Sequence, residues 1–179
     1  MKTDWLSNLK LRLSYGVTGN NSGIDNYETH VTGAGPNYYA FGNTVAPAYY
    51  PSRIANKRLT WETTYEVDFG FDFGVLDNRI TGTFDIYNKD SKDLLFLKPL
   101  PLPSGGAKVM DNVGNVRNRG LELSFNTINI KTRNLTWETS FAFSTNNNEV
   151  LNINGSSDFI INGISKSLFV GQPVNNIYS

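Results

Sequence analysis

The stretch from Tyr65 to Gly74 constrains the fold most, because apolar and polar residues alternate through it without a break. The apolar positions are Tyr65, Val67, Phe69, Phe71 and Phe73. The positions between them hold only acidic residues and glycine. A period of two predicts a β-strand with one apolar and one polar face. Eight steps of about 3.3 Å give about 26 Å, whereas globular strands usually span about 17–20 Å.

This length suits either of two architectures. Tilted by about 40°, the strand would cover most of the apolar band of an outer-membrane barrel, which is about 25 Å tall. A soluble β-sandwich also has strands with one apolar and one polar face. The choice between them depends on the connections between the strands.

Composition excludes several kinds of site. Lysine plus arginine and aspartate plus glutamate number 16 each. The formal net charge is therefore zero and does not favour binding to nucleic acid. The chain has no cysteine and one histidine, His30, which excludes thiolate chemistry and histidine-cluster metal sites. We therefore expect no cofactor and no metal. The N-terminus lacks a secretion signal, so a barrel reading implies an internal piece of a longer protein.

Short turns and long connections alternate along the chain. The two-faced strands are predicted within 9–18, 61–74, 80–89, 121–126 and 137–144. Turns at 75–79 and 131–134 are short, whereas connections at 19–60 and 90–117 are long and rich in glycine and proline. This asymmetry is typical of outer-membrane barrels. We predict an all-β fold of antiparallel up-and-down strands with short turns and long loops, part of a large transmembrane β-barrel. If the short turns are periplasmic, both long connections are extracellular.

Aromatic residues in the first long connection are the best candidates for contact with a substrate or partner. They are Tyr38, Tyr39, Phe41, Tyr49 and Tyr50. Aromatic rings stack on sugar faces and supply rigid contact area to protein partners. The alternative is an aromatic girdle or packing within the loop.

Carboxylates on the polar faces of the strands form a second candidate set. They are Glu66, Asp68, Asp72, Asp85 and Glu122. Glycoside hydrolysis needs two carboxylates about 5–10 Å apart. Asp68 and Asp72 would lie about 13 Å apart along one strand face. We therefore predict that the set faces a wet lumen, with no catalytic residues.

Seven stretches, in this order, carry a resemblance over nearly the whole chain. They are 11–20, 59–64, 71–74 with 78–80, 87–95, 99–101, 112–122 and 170–173. With these motifs the chain resembles the β-barrel of SusC/RagA-type TonB-dependent outer-membrane transporters of the Bacteroidota. The resemblance implies a plugged barrel of about 22 strands in the cell outer membrane. It also implies TonB-driven import of oligosaccharides, or of peptides, with a SusD-like surface lipoprotein over the barrel.

The resemblance does not extend to every part of such a transporter. Residues 1–179 contain no plug, no TonB-contacting segment and no barrel-closing strand, so we expect a barrel fragment of about five or six strands. TonB would act through the missing N-terminal region. Two alternatives remain from the residues themselves: a soluble β-sandwich that serves as a carbohydrate-binding or adhesin module, and a carbohydrate-active enzyme domain. We expect outer-membrane lipid to surround the barrel, and we expect no nucleic acid among its partners.

Overall fold

Strands make up most of the structure, a computed structural model that describes residues 5–26, 30–101, 108–153, 158–159 and 168–174. In chain order the strands are β1 (Leu6–Asn20), β2 (Thr32–Phe41), β3 (Thr44–Ile54), β4 (Glu62–Val75), β5 (Ile80–Pro99), β6 (Lys108–Lys131), β7 (Thr136–Asn152), β8 (Asp158–Phe159) and β9 (Leu168–Phe169). Among the described residues, none forms a helix with the length and hydropathy of a membrane span.

Seven strands share one sheet in the order β1-β4-β5-β6-β3-β2, and β7 also pairs with β6. The long neighbours β1–β4, β4–β5, β5–β6 and β6–β7 are all antiparallel. β3 joins β6 in parallel through two residue pairs, Arg53 with Lys108 and Ile54 with Val109. The long strands form one curled sheet, so the predicted all-β arrangement of antiparallel up-and-down strands is observed.

The register places the apolar residues of the long strands on one face of the sheet. Phe71 of β4 pairs with Leu11 of β1 and with Phe84 of β5. Phe84 pairs with Leu123 of β6, which pairs in turn with Phe143 of β7. We call this surface the apolar face. The opposite surface, which carries the acidic residues of β4, is the polar face.

The apolar face is exposed, which reverses the arrangement of a soluble protein. Leu11, Leu13 and Phe143 are 67%, 78% and 51% exposed, and Phe69 is 42% exposed. The buried apolar residues form one small cluster at the far ends of β6 and β7: Val113, Val116, Val150, Ile153 and Leu168. A soluble chain would cover so large an apolar surface. The distribution is the one expected of a barrel wall in contact with lipid.

The short turns agree with the sequence prediction. Between β4 and β5, Leu76, Asp77 and Asn78 all adopt positive φ, at 53°, 56° and 60°. Asp and Asn tolerate this conformation because their side chains bond the local backbone. Between β6 and β7, the Thr132 amide donates to the Leu135 carbonyl at 2.8 Å.

The long connections differ from the prediction. Residues 19–60 contain the strands β2 and β3, which the sequence did not reveal because neither has an apolar face. Residues 90–117 are largely strand as well, since β5 continues to Pro99 and β6 begins at Lys108. Register shifts at Ser91–Leu94 and Leu94–Leu95, with Asp93 at φ 57°, break the alternation there. Residues 102–107, in the middle of the second predicted connection, lie outside the described residues.

Candidate functional site

The hairpin of β2 and β3 occupies the end of the sheet opposite the short turns. Gly42, at φ 62°, lies between the strands, and Phe41 pairs with Thr44 across the turn. The hairpin reaches the barrel wall where Arg53 and Ile54 pair with the first residues of β6. Because the short turn of β6 follows its other end, at Lys131, the hairpin stands at the long-loop end of the sheet.

The five aromatic candidates all lie on this hairpin and all are exposed. Their exposed fractions are 73% for Tyr38, 59% for Tyr39, 72% for Phe41, 73% for Tyr49 and 44% for Tyr50. Alternation within the hairpin distributes them over both of its faces. The rings of Tyr39 and Phe41 are neighbours, with centroids 6.2 Å apart. The structure thus offers five accessible rings, and their contact with a ligand stays a prediction.

Asparagine side chains hold the return from the hairpin against β6. Asn56 Nδ2 donates to the Met110 carbonyl at 3.0 Å. Asn112 Oδ1 accepts from the Thr60 amide at 2.9 Å, and its Nδ2 donates to the carbonyls of Thr60 and Asp93 at 2.9 and 2.7 Å. The sequence prediction missed Asn112 as a positioning residue, although it begins the motif at 112–122. These bonds fix the base of the hairpin-bearing loop to the wall.

The polar face carries the five predicted carboxylates. Four of them, Glu66, Asp68, Asp85 and Glu122, line a groove of about 530 Å³. Polar side chains complete its lining, namely Tyr87, Lys89, Asn118 and Asn146. Asp72 does not line this groove. That the groove belongs to a transport lumen stays a prediction.

Arg12 organises the charges of the polar face, and the sequence prediction did not include it. Its Nη2 lies 2.9 Å from Asp72 Oδ1 and 2.8 Å from Asp85 Oδ1. Arg12 pairs across the strands with Gly70, which in turn pairs with Asp85. A Cβ at Gly70 would collide with the Asp85 carboxylate and would lie 2.9 Å from Arg12 Nη2. The guanidinium therefore crosses β4 through the space that glycine leaves.

A second ion pair lies on the side of the sheet that bears the apolar face, beyond its apolar residues. Arg117 binds Asp90 with two parallel hydrogen bonds, Nε to Oδ1 at 2.6 Å and Nη2 to Oδ2 at 2.8 Å. Asp90 follows Ile86, the last apolar residue on that face of β5, by four residues.

Metal chemistry has no candidate in this part of the chain. Within the described residues, no three side chains of histidine, aspartate or glutamate are placed to bind a metal ion. The carboxylates of the polar face instead find Arg12 and Lys89 as partners, the latter with Nζ 3.5 Å from Glu66 Oε2.

Comparison with known proteins gives a consistent result. Residues 3–177 match the family model described as TonB dependent receptor-like, beta-barrel. The TonB-dependent receptor P3 of Formosa agariphila is 38% identical over 152 residues, covering 85% of this chain and 15% of the relative. The TonB-dependent receptor SusC of Bacteroides thetaiotaomicron is 35% identical over 157 residues, with 86% and 16% covered. Both relatives are named TonB-dependent receptors.

Solved structures agree with the sequence relatives. The RagAB peptide transporter superposes with a TM-score of 0.79 and 28% identity, covering 98% of this chain and 19% of that one. The open-open state of the RagAB peptide importer gives 0.79 and 28%, covering 96% and 18%. The chain spans 15–16% of the length of the curated relatives it matches. The chain therefore belongs to the β-barrel region of the TonB-dependent receptors, and its place is the cell outer membrane.

Proposed function

We propose that residues 1–179 form part of the barrel wall and extracellular surface of a TonB-dependent transporter that imports oligosaccharides or peptides. One observation carries the proposal: an exposed apolar face backs directly onto a polar groove across a single curled sheet. Such a wall separates lipid from an aqueous passage. The chain would supply about five or six barrel strands, while the plug and the segment that contacts TonB would come from other parts of the protein.

The polar face would line the passage. Glu66, Asp68, Asp85 and Glu122 present acceptor oxygens to the groove, and Asn118 and Asn146 add amide groups. Hydroxyl and amide groups of a sugar or a peptide can exchange hydrogen bonds with these side chains without any covalent step. We therefore propose transport without catalysis, driven through TonB.

The hairpin aromatics would meet the substrate or a SusD-like surface lipoprotein before the passage is entered. They stand at the long-loop end, and the described residues leave both faces of the hairpin accessible. Exposed tyrosines lose little conformational entropy on binding and supply large contact area. A soluble sandwich module has no support in the structure, because the described residues place no second layer over the apolar face.

The proposal predicts a selective loss of uptake when the hairpin loses its tyrosines. Replacing Tyr38, Tyr39, Tyr49 and Tyr50 with alanine in the full-length transporter should leave barrel assembly intact, since the hairpin joins the wall through the backbone pairs of Arg53 and Ile54 with β6. Each ring buried at an interface is worth roughly 1–2 kcal/mol or more. Growth on the cognate nutrient and binding of the lipoprotein should therefore fall. Val45→Ala, at another exposed hairpin position, is the matched control.

The extracellular assignment has its own test. Ser22 is exposed in the first long connection, where its hydroxyl donates to Asn20 Oδ1 at 2.7 Å. A cysteine introduced there should react with a membrane-impermeant thiol reagent added to intact cells. Failure to label would overturn the extracellular assignment. Normal growth without the four tyrosines would show that they only pack within the hairpin and do not contact a substrate or partner.

A further inference from the structure

The upper edge of the apolar face carries a cluster of cations that the transport role leaves unused. We call it the rim cluster; it consists of Lys92, Arg117 and Arg119 with the carboxylates Asp90 and Glu149. The register places the cluster on the lipid side of the wall. Arg117 pairs with Asp90 and with Glu149, and these residues lie on the same face of the sheet as the pair of Leu121 with Ile86. Three cations face two carboxylates, so the cluster has one positive charge in excess.

Within the part of the chain that the structure describes, neither Arg119 nor Lys92 forms an ion pair with a carboxylate at bonding distance. Arg119 is exposed, and its Nε donates to Asn88 Oδ1 at 3.0 Å. That bond uses one of the five donors of the guanidinium. Lys92 is exposed, and its Nζ lies 4.9 Å from the centroid of the Tyr65 ring on the apolar face. Arg117 differs, since its fork is already occupied by Asp90.

An apolar groove of about 460 Å³ opens directly below Arg119 on the same side of the sheet. Its apolar lining comes from Val67, Phe69, Ile86 and Leu121, and Arg119 closes the upper end with amides from Asn88 and Asn147. A ligand that fits this site needs a hydrocarbon segment to occupy the apolar groove and a negative charge to reach Arg119. The separation follows the strand, because Arg119 stands two residues beyond Leu121, about 7 Å.

We propose that this site binds the phosphorylated glycolipid of the outer leaflet, lipid A, with an acyl chain in the groove, a phosphate at Arg119, and Lys92 as a second cation of the rim cluster that attracts the phosphorylated headgroup. Charge complementarity supports this ligand, because an arginine with unused donors at the edge of hydrocarbon can hold a phosphate through two parallel hydrogen bonds. The proposal rests on the outer-membrane orientation given above, in which the long-loop end is extracellular.

The test compares lipids on one purified full-length transporter. Binding of bis-phosphorylated lipid A is measured by native mass spectrometry for the wild type, for Arg119→Gln with Lys92→Gln, and for Lys131→Gln. The last variant removes an exposed cation at the opposite end of β6 and is the matched control. Each rim cation should contribute about 5-fold in affinity, so the double variant should bind roughly 25-fold more weakly. The control should bind as the wild type does.

Two further ligands fix the chemistry. Dephosphorylated lipid A should bind the wild type about as weakly as phosphorylated lipid A binds the double variant. Phosphatidylglycerol should bind more weakly than lipid A, and equal binding would overturn the assignment to the glycolipid. Equal binding of lipid A by all three proteins, or no effect of removing the phosphates, would overturn the site itself.

Folding and transport are followed separately. Heat-modifiable mobility of the barrel reports assembly of each variant, and if the double variant does not assemble, Arg119→Gln alone should lower affinity about 5-fold. Uptake of the cognate nutrient is measured on the same variants. If the rim variants take up the nutrient and bind lipid A as the wild type does, the lipid site alone is overturned. If the wild type binds lipid A selectively but imports no nutrient, the transport role alone is overturned.

Discussion

Gly70 shows how one absent side chain sets the electrostatics of the polar face. The guanidinium of Arg12 crosses the strand at this residue to reach Asp85, and the Asp85 carboxylate fills the space that a Cβ would occupy. Both charged side chains are only partly exposed, at 35% for Arg12 and 20% for Asp85. Loss of the contact would leave two partly desolvated charges without each other.

Gly70→Ala should therefore destabilise the barrel, because the carboxylate and the guanidinium must both move away from the new methyl group. The Asp85 carboxylate would lose a charge-assisted hydrogen bond from Arg12, which lowers the free energy of unfolding. The temperature at which the full-length barrel loses its heat-modifiable mobility should fall. Gly16→Ala is the control, since Gly16 also belongs to the polar face and nothing lies within 4 Å of its missing Cβ. Equal midpoints for the two variants would contradict the role assigned to Gly70.

The positions of the carboxylates could be predicted from the sequence, but their partners could not. A period of two places Asp72 on the same side of β4 as Glu66 and Asp68, whatever the neighbouring strands do. That Arg12 reaches Asp72 and Asp85 depends on the register of β1 against β4, where Arg12 stands opposite Gly70. Register between residues as far apart as Arg12 and Asp72, 60 positions along the chain, is set by tertiary packing, which no local pattern records.

At the scale of the elements, the end of the apolar face reveals the tilt of the strands. The last apolar residues on this face are Val17 in β1, Tyr65 in β4, Ile86 in β5 and Phe143 in β7. Val17 and Tyr65 are paired, but Ile86 pairs with Phe69, and Phe143 lies in the row of Phe71. The edge thus falls about 20 Å over four strand spacings of about 4.8 Å, a slope of about 45°. A level membrane requires this slope when barrel strands tilt by about 35–45°.

The two hairpin strands escaped prediction for the same reason that the others were found. A wall strand has lipid on one side and water on the other, so its sequence must alternate. The described side chains of β2 and β3 are mostly exposed, and Pro47 and Pro51 interrupt β3 as turn residues would. Strands of this kind carry no binary pattern, and only their pairing makes them strands.

The hairpin should also be the least protected part of the sheet. Two residue pairs, Arg53–Lys108 and Ile54–Val109, join it to β6, whereas β5 and β6 pair over most of their length. In the full-length transporter in detergent, amides of β2 and β3 should exchange with deuterium at least 100-fold faster than those paired between β4 and β5, since protection follows the free energy of local opening. Mass spectrometry of the peptides decides this, and equal protection would mean that the hairpin is held by contacts outside these residues.

At the scale of the whole molecule, the sheet can be stable only in lipid and within a closed barrel. Its largest apolar surface faces outward, and its buried apolar cluster comprises Val113, Val116, Val150, Ile153 and Leu168. The outer backbone groups of β1 have no neighbouring strand among the described residues. Unpaired backbone at an open edge costs several kcal/mol per group in hydrocarbon, and in water it recruits other strands.

Residues 1–179 expressed alone should therefore not give a soluble monomer. Without detergent we expect aggregates, because the exposed leucines and phenylalanines of the apolar face and the open edge of β1 both favour association. Size-exclusion chromatography with light scattering gives the mass, and thermal scanning shows whether unfolding is cooperative. A monodisperse 20.0 kDa species that unfolds cooperatively in detergent-free buffer would contradict this account. Exposed apolar residues would then have to be covered by a rearranged sheet, and the barrel wall described here would not be the structure of the isolated chain.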